Sequence, residues 1–280
     1  MKIEKKVGML FVSAVILFFI STSLIAYPVV SDWYSEKVRS TVQTEYFEMI
    51  EEQENEEIRQ ALIDAQKYNE SLCSVQTEQG ADIKEYMELL NVGNTGIMGY
   101  VEIPVIDITL PIYHTTDDSV MQIGAGHMEG TSLPVGGPST HAVISAHSGM
   151  SGSRMFSDLD RVQKGDYVFI RVLGETLAYE VTGTEMVLPS AVDKIQIVEG
   201  KDMVTLITCV PYGVNTHRLL VRAERTELSE EEIIEEEAEV EIATSTWFEK
   251  YVEGIIFGLF IAGGILFVII IIGAMCRKRR

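Results

Sequence analysis

Cysteine is scarce in this chain: three in 280 residues, at Cys73, Cys209 and Cys276. That excludes a small disulfide scaffold, which needs more cysteines at closer spacing. The folded part must be held by its core, with thiol chemistry open to it. Positive charge is scarce too, 22 Lys and Arg against 42 Asp and Glu, for a formal net charge of −20. That balance repels phosphates, so nucleic acid is not expected as a partner. No two of His114, His127, His141, His147 and Cys209 show the close paired spacing of a structural zinc site, and neither a metal nor another cofactor is expected.

Charge is missing altogether from two long runs. After the basic "MKIEKK", residues Val7 to Ser31 carry none, and that run is longer than the roughly 7–15 apolar residues of a signal core. It reads as a signal or, by its length, as a retained membrane anchor. Gly254 to Met275 is likewise uncharged and is followed by "CRKRR". Positive residues stay cytoplasmic, so both termini are expected inside and everything between them outside, with Cys276 at the inner edge. Much of the acidity lies in "EEQENEE" and in "SEEEIIEEEAEVE", which read as solvated, self-repelling stretches.

Between the apolar runs, "EKVRSTVQTEYFEMI" and "EEIRQALIDAQKYN" lack Gly and Pro and space their apolar residues as helices do, and "DIKEYMELL" reads as one more helix stopped by "NVGNTG". These helices are expected on the surface of the domain that follows. From Met98 the texture changes to short β-branched runs between turn signals: "GYVEIP", "ITLPIY", "HAVISAH", "DYVFIRV", "TLAYEVTGTEMVLP", "MVTLITC" and "RLLVRAER". At least seven close-spaced strands predict a closed, antiparallel-rich barrel or a sandwich. Only "TDDSVMQIGAG" and "SRMFSDLD" look helical inside it. The chain divides into a basic N-terminus with anchor or signal (1–31), a helical region (32–97), a β domain (98–226), an acidic linker (227–253), a C-terminal transmembrane helix (254–276) and a basic tail (277–280).

If Met203 to Cys209 and Arg218 to Arg225 are consecutive strands, "VPYGVNTH" closes a hairpin and places Cys209 and Arg218 at one end of neighbouring strands. A strand-end cysteine alone is most often a small buried hydrophobe. A nucleophilic thiol needs a base or cation beside it. His147, where "THAVISAH" gives way to the loop "SGMSGS", is the first choice for that partner. His114 and His127 are weaker candidates with structural hydrogen bonding as the plain alternative, and His217 should point away from Arg218.

"TLITCVPYGVNTHRLLVR" resembles the TLxTC…R signature of the sortase family, and "YVEIPVIDITLPIYH", "GAGHMEGTSLPVGG" and "VLGETLAYEV" are similar to its class C, pilus-assembling branch. The resemblance covers Tyr86 to Arg225 and implies a closed eight-stranded β-barrel carrying a cysteine transpeptidase. It implies Cys209 as nucleophile, His147 as acid/base partner and Arg218 as the residue that positions the carbonyl. By the same resemblance the partners are pilin subunits or surface proteins bearing an LPXTG-like signal, and the membrane. Attachment of proteins to the cell wall is the alternative activity. A non-catalytic binding module is disfavoured by the presence of all three residues. Two features depart from the branch: "AHSG" stands where "GHRG" is common, and no Asp-Pro occurs for an Asp-Pro-aromatic lid. The lid-equivalent stretch, Ser71 to Asp82, carries Cys73 instead, which can be read as a plain free thiol or as a reversible disulfide partner for Cys209.

Overall fold

The computed structural model describes residues 2–52, 55–74, 83–148, 154–229 and 231–234, and six single positions between 254 and 264. The chain forms two compact units, Met1–Glu227 and Leu228–Arg280. Most of the acidic linker, most of the C-terminal apolar run and the centre of the lid-equivalent stretch lie outside the described residues. Three helices lead the first unit: α1 (Lys2–Glu52), α2 (Asn55–Ser74) and α3 (Ile83–Glu88). The N-terminal apolar run and the helix expected after it are thus one continuous element. Among the described residues no helix is long and apolar enough to cross a membrane; several side chains of α1 are not among them.

Eight strands close into a barrel in the order β1-β2-β3-β4-β7-β8-β6-β5. They are β1 (Ile97–Ile103), β2 (Ile108–His114), β3 (Ala125–His127), β4 (Thr140–Ser145), β5 (Tyr167–Val172), β6 (Glu175–Val187), β7 (Asp202–Val210) and β8 (His217–Arg225). Closure settles the choice between barrel and sandwich. Six of the eight pairings are antiparallel; β2 with β3 and β4 with β7 are parallel, so the sheet is mixed.

The seven runs expected as strands all form. The eighth, β3, falls in a stretch expected to be helical, where only α4 (Asp118–Met121) is a helix. Its residues, Ala-Gly-His, offer no β-branched signal. The strand needs Gly126 because a Cβ there would run into the Thr115 carbonyl oxygen. The other expected inner helix, "SRMFSDLD", is in its described part a turn and a short 3-10 segment at Leu159–Arg161.

Ala142, Ile144 and Ala146, Val204 and Leu206, and Leu219, Val221 and Ala223 belong to the main core. The helices do more than lie on the surface, since Tyr46 and Ile50 of α1 and Ala65 and Tyr68 of α2 are buried in that core. Asn69 of α2, 3 % exposed, makes a two-way amide bridge to the segment before β4. Its Nδ2 donates to Leu133 O at 3.1 Å and its Oδ1 accepts from Leu133 N–H at 2.7 Å. Asn69→Ala strands both peptide groups in a buried place and is expected to cost about 2–3 kcal/mol, read by denaturant unfolding. A loss below about 0.5 kcal/mol would mean that other groups satisfy Leu133.

Candidate active site

Cys209 and Arg218 come together as local turn chemistry requires. β7 and β8 are joined by six residues, and their register pairs Cys209 with Arg218 and Val210 with His217. The turn is held by Val214 N–H and Asn215 N–H, which donate to Pro211 O at 3.0 and 2.9 Å. Gly213 and Asn215 supply the positive φ values it needs. The Arg218 Nη1 donates to the carbonyls of Asn215 and His217, both at 3.2 Å. One corner of the guanidinium is therefore fixed by its own loop, and its other N–H donors keep the geometry of a fork.

His147 reaches the same place by a long-range pairing. β4 and β7 run parallel from Thr140 beside Asp202 to Ser145 beside Ile207. The pairing persists past the end of β4, with Ala146 N–H donating to Ile207 O at 3.1 Å and the Thr208 hydroxyl donating to Ala146 O at 2.8 Å. His147 follows the last paired residue of β4, Ser145, by two residues, as Cys209 follows Ser145's partner Ile207 on β7. The His147 carbonyl in turn accepts from Phe156 N–H at 2.9 Å, and the Phe156 ring is buried. Cys209 and Arg218 thus form one rung across β7 and β8, and His147 lies two residues beyond the end of β4, the strand on the other side of β7. All three are part-exposed, whereas Ala146, Thr208 and Leu219 beside them are buried. Cys209 is a free thiol. The side chain of Cys73, near the end of α2, lies outside the described residues.

The remaining histidines have other work. His127, fully buried, donates from Nε2 to Ser132 O at 2.8 Å and accepts at Nδ1 from the Tyr86 hydroxyl at 2.8 Å. Burial lowers it to about 4. His114 donates from Nε2 to Leu89 O at 2.7 Å, and burial lowers it as well. His141 bonds Gln196 O and Thr205 Oγ1. The His217 ring meets the Thr216 hydroxyl at 3.0 Å, on the rung next to Arg218. No group of three or more His, Cys, Asp or Glu is placed to hold a metal among the described residues.

Sequence reasoning gave no part to Thr205, Thr208 or Phe156, which fix where the rung's residues sit. The signal was present in "TLITC": threonines three apart on a strand face opposite sides, and here one hydroxyl meets His141 while the other meets the Ala146 carbonyl.

The comparisons with known proteins agree on one family. Residues 101–226 match the model of the sortase domain. The chain is 39 % identical to sortase C of Streptococcus pneumoniae, described for its catalysis and pilin substrate specificity, with a TM-score of 0.62, covering 67 % of this chain and 97 % of that one. It is 41 % identical to sortase C of Clostridium perfringens, solved with the C-terminal cell wall sorting motif, with a TM-score of 0.61, covering 68 % of this chain and all of that one, 100 %. Among curated relatives it is 32 % identical over 134 residues to Sortase A of Streptococcus agalactiae, covering 47 % of this chain and 53 % of the relative, so it spans about half of that relative's length.

Proposed function

The chain belongs to the sortase family of cysteine transpeptidases, and we propose that it joins proteins bearing an LPXTG-like sorting signal to an amine on a pilin subunit. The observation that carries this reading is the pairing of Cys209 with Arg218 across β7 and β8, with His147 just beyond the end of the adjoining β4. The pilin subject of the Streptococcus pneumoniae structure and the sorting motif of the Clostridium perfringens one support the substrate class.

In the first step the Cys209 sulfur attacks the carbonyl carbon of the Thr–Gly amide. Arg218 directs its N–H donors at the carbonyl oxygen as that oxygen gains charge. Collapse breaks the C–N bond, His147 gives a proton to the departing glycine amine, and a thioester on Cys209 remains. In the second step a lysine amine attacks the thioester carbonyl, its proton passes to His147, and the C–S bond breaks to free the Cys209 thiolate. The new bond is an isopeptide. A thioester also reacts with water, so the outcome depends on which nucleophile reaches it first.

The apolar runs at 7–31 and 254–275, each next to basic residues, support a membrane-held enzyme with its catalytic domain outside. Val12, Leu17, Phe19 and Leu24 of the first run are more than half exposed on α1, as side chains meant for an apolar surrounding would be.

Intact-mass analysis after mixing the protein with an LPXTG peptide tests the reading, with Cys209→Ala beside it and with and without a lysine-bearing pilin fragment. An adduct on Cys209 that moves to the pilin lysine is expected. Passage only to water or to a wall-peptide amine would replace pilus assembly by hydrolysis or wall attachment. Absence of any adduct would end the transpeptidase reading.

A further inference from the structure

β6 and β7 are both antiparallel to β8 and so run in the same direction, toward the Cys209 end of the barrel. The connection between them, residues 188–201, therefore has to return along the barrel before β7 can begin. This strap covers the face that carries the rung. Its Ile195 packs against a small cluster formed by Val143, Ile207 and Leu220, and Ile207 lies two residues from Cys209 on the same face.

Two polar fastenings hold the strap. One is open to solvent: Glu185 of β6 pairs with Lys194 of the strap at 3.1 Å and with Arg222 of β8 at 2.9 Å. Exposed pairs of this kind contribute little. The other is buried. His141, 1 % exposed, donates from Nδ1 to the strap carbonyl of Gln196 at 2.8 Å and accepts at Nε2 from the hydroxyl of Thr205, 0 % exposed, at 2.7 Å. A carbonyl oxygen can only accept, so the proton belongs on Nδ1, and Thr205 completes that tautomer from the other side.

We propose that His141 is a positioning residue for the transfer reaction: backed by Thr205, it fixes the strap beside the Cys209 rung and so sets how tightly the donor peptide is held. The proposal rests on the transpeptidase reading above. His141 itself is six residues along the chain from His147, about 20 Å in an extended strand, and touches no reacting atom. A proton added at Nε2 removes the acceptor that Thr205 uses and places a second positive charge near Arg222. Burial, then Arg222, oppose that proton, while the bond to Gln196 favours it. The charged groups facing this place are Arg222, with its partners Glu185 and Lys194, and Glu224, with its partner Lys201, on the rung that His141 shares with Met203. The strap's buried fastening is consequently an acid-sensitive one.

The test uses the full chain in detergent micelles: wild type, His141→Phe, Thr205→Val and Thr205→Ser. Cleavage of an LPXTG peptide gives kcat and KM from pH 5 to pH 8, and hydrogen exchange follows the amides of 189–200. His141→Phe is expected to raise KM about fivefold, the loss of one buried hydrogen bond. Its kcat should stay within about twofold, and exchange in the strap should speed up. Thr205→Val, nearly isosteric and so the safer variant to fold, should move the same way, with Thr205→Ser restoring wild-type behaviour. Wild-type KM should rise toward pH 5, and that rise should vanish in His141→Phe. Unchanged strap exchange, or a fall in kcat with KM untouched, would overturn the proposal. Should the wild type cleave no such peptide, the transpeptidase reading falls, and strap exchange alone then decides whether His141 is the fastening.

Discussion

Arg218→Lys is expected to lower the rate of thioester formation on Cys209 about a hundredfold or more, with KM for the peptide nearly unchanged. Arg218 already gives Nη1 to the carbonyls of Asn215 and His217, so its loop orients the guanidinium before any substrate arrives. The rest of the planar fork is then available to an oxyanion without further ordering. A lysine ammonium is a single point on a flexible stem: it can satisfy the loop or reach the oxyanion, but it cannot hold both in a fixed plane. Removing one preorganised oxyanion donor costs about a hundredfold to a thousandfold in kcat. Single-turnover mass analysis of the Cys209 adduct reads the effect directly, and a lysine variant within about threefold of wild type would remove Arg218 from the chemistry.

Mild acid is expected to destabilise the fold, and His127 should account for much of it. The folded protein holds this histidine at about 4, against 6.5 for the free side chain, because burial disfavours its charged form. Its folded value is the lower one, so between those two pH values the unfolded chain binds more protons. Stability therefore falls as pH drops from about 6.5 to about 4, by roughly 3 kcal/mol for this one group, and is present in full above that window. His114 and His141 are lowered in the same direction and steepen the loss. Protonation would also remove the acceptor for Tyr86, the tyrosine by which α3 is buried against the barrel, and whose hydroxyl accepts from Thr115 N–H at 3.2 Å. Denaturant unfolding at a series of pH values measures this. His127→Gln should be less stable at neutral pH yet show a visibly flatter acid limb than wild type. Parallel curves for the two proteins would assign the acid sensitivity elsewhere.

Much of the fold could be read from the chain because seven strands carry β-branched runs between turn residues. The Cys209–Arg218 pairing was legible for the same reason: Pro211, Gly213 and Asn215 make a local turn, and local turns fix register. β3 was not legible, since Gly124-Ala125-Gly126 is chosen for close backbone approach and carries no side-chain pattern. The continuity of α1 was hidden by the change from apolar to charged residues at Asp32, which does not end the helix. His147 could be singled out by its place at a strand end. The place of β4 beside β7, however, depends on a parallel register between residues 62 apart, and nothing in either segment states that offset. Thr205 and His141 have the same difficulty, being 64 apart in sequence.

That long-range register also gives the site an order of assembly. Cys209 and Arg218 belong to one hairpin and can meet as soon as β7 and β8 exist, whereas His147 can join them only after β4 has found β7 across the intervening β5 and β6. Closing so long a loop is a slow event that the rest of the barrel must support. A partly folded chain can therefore hold Cys209 and Arg218 together without His147, which arrives only with the finished barrel. The complete set of three residues is thus itself a report of complete folding.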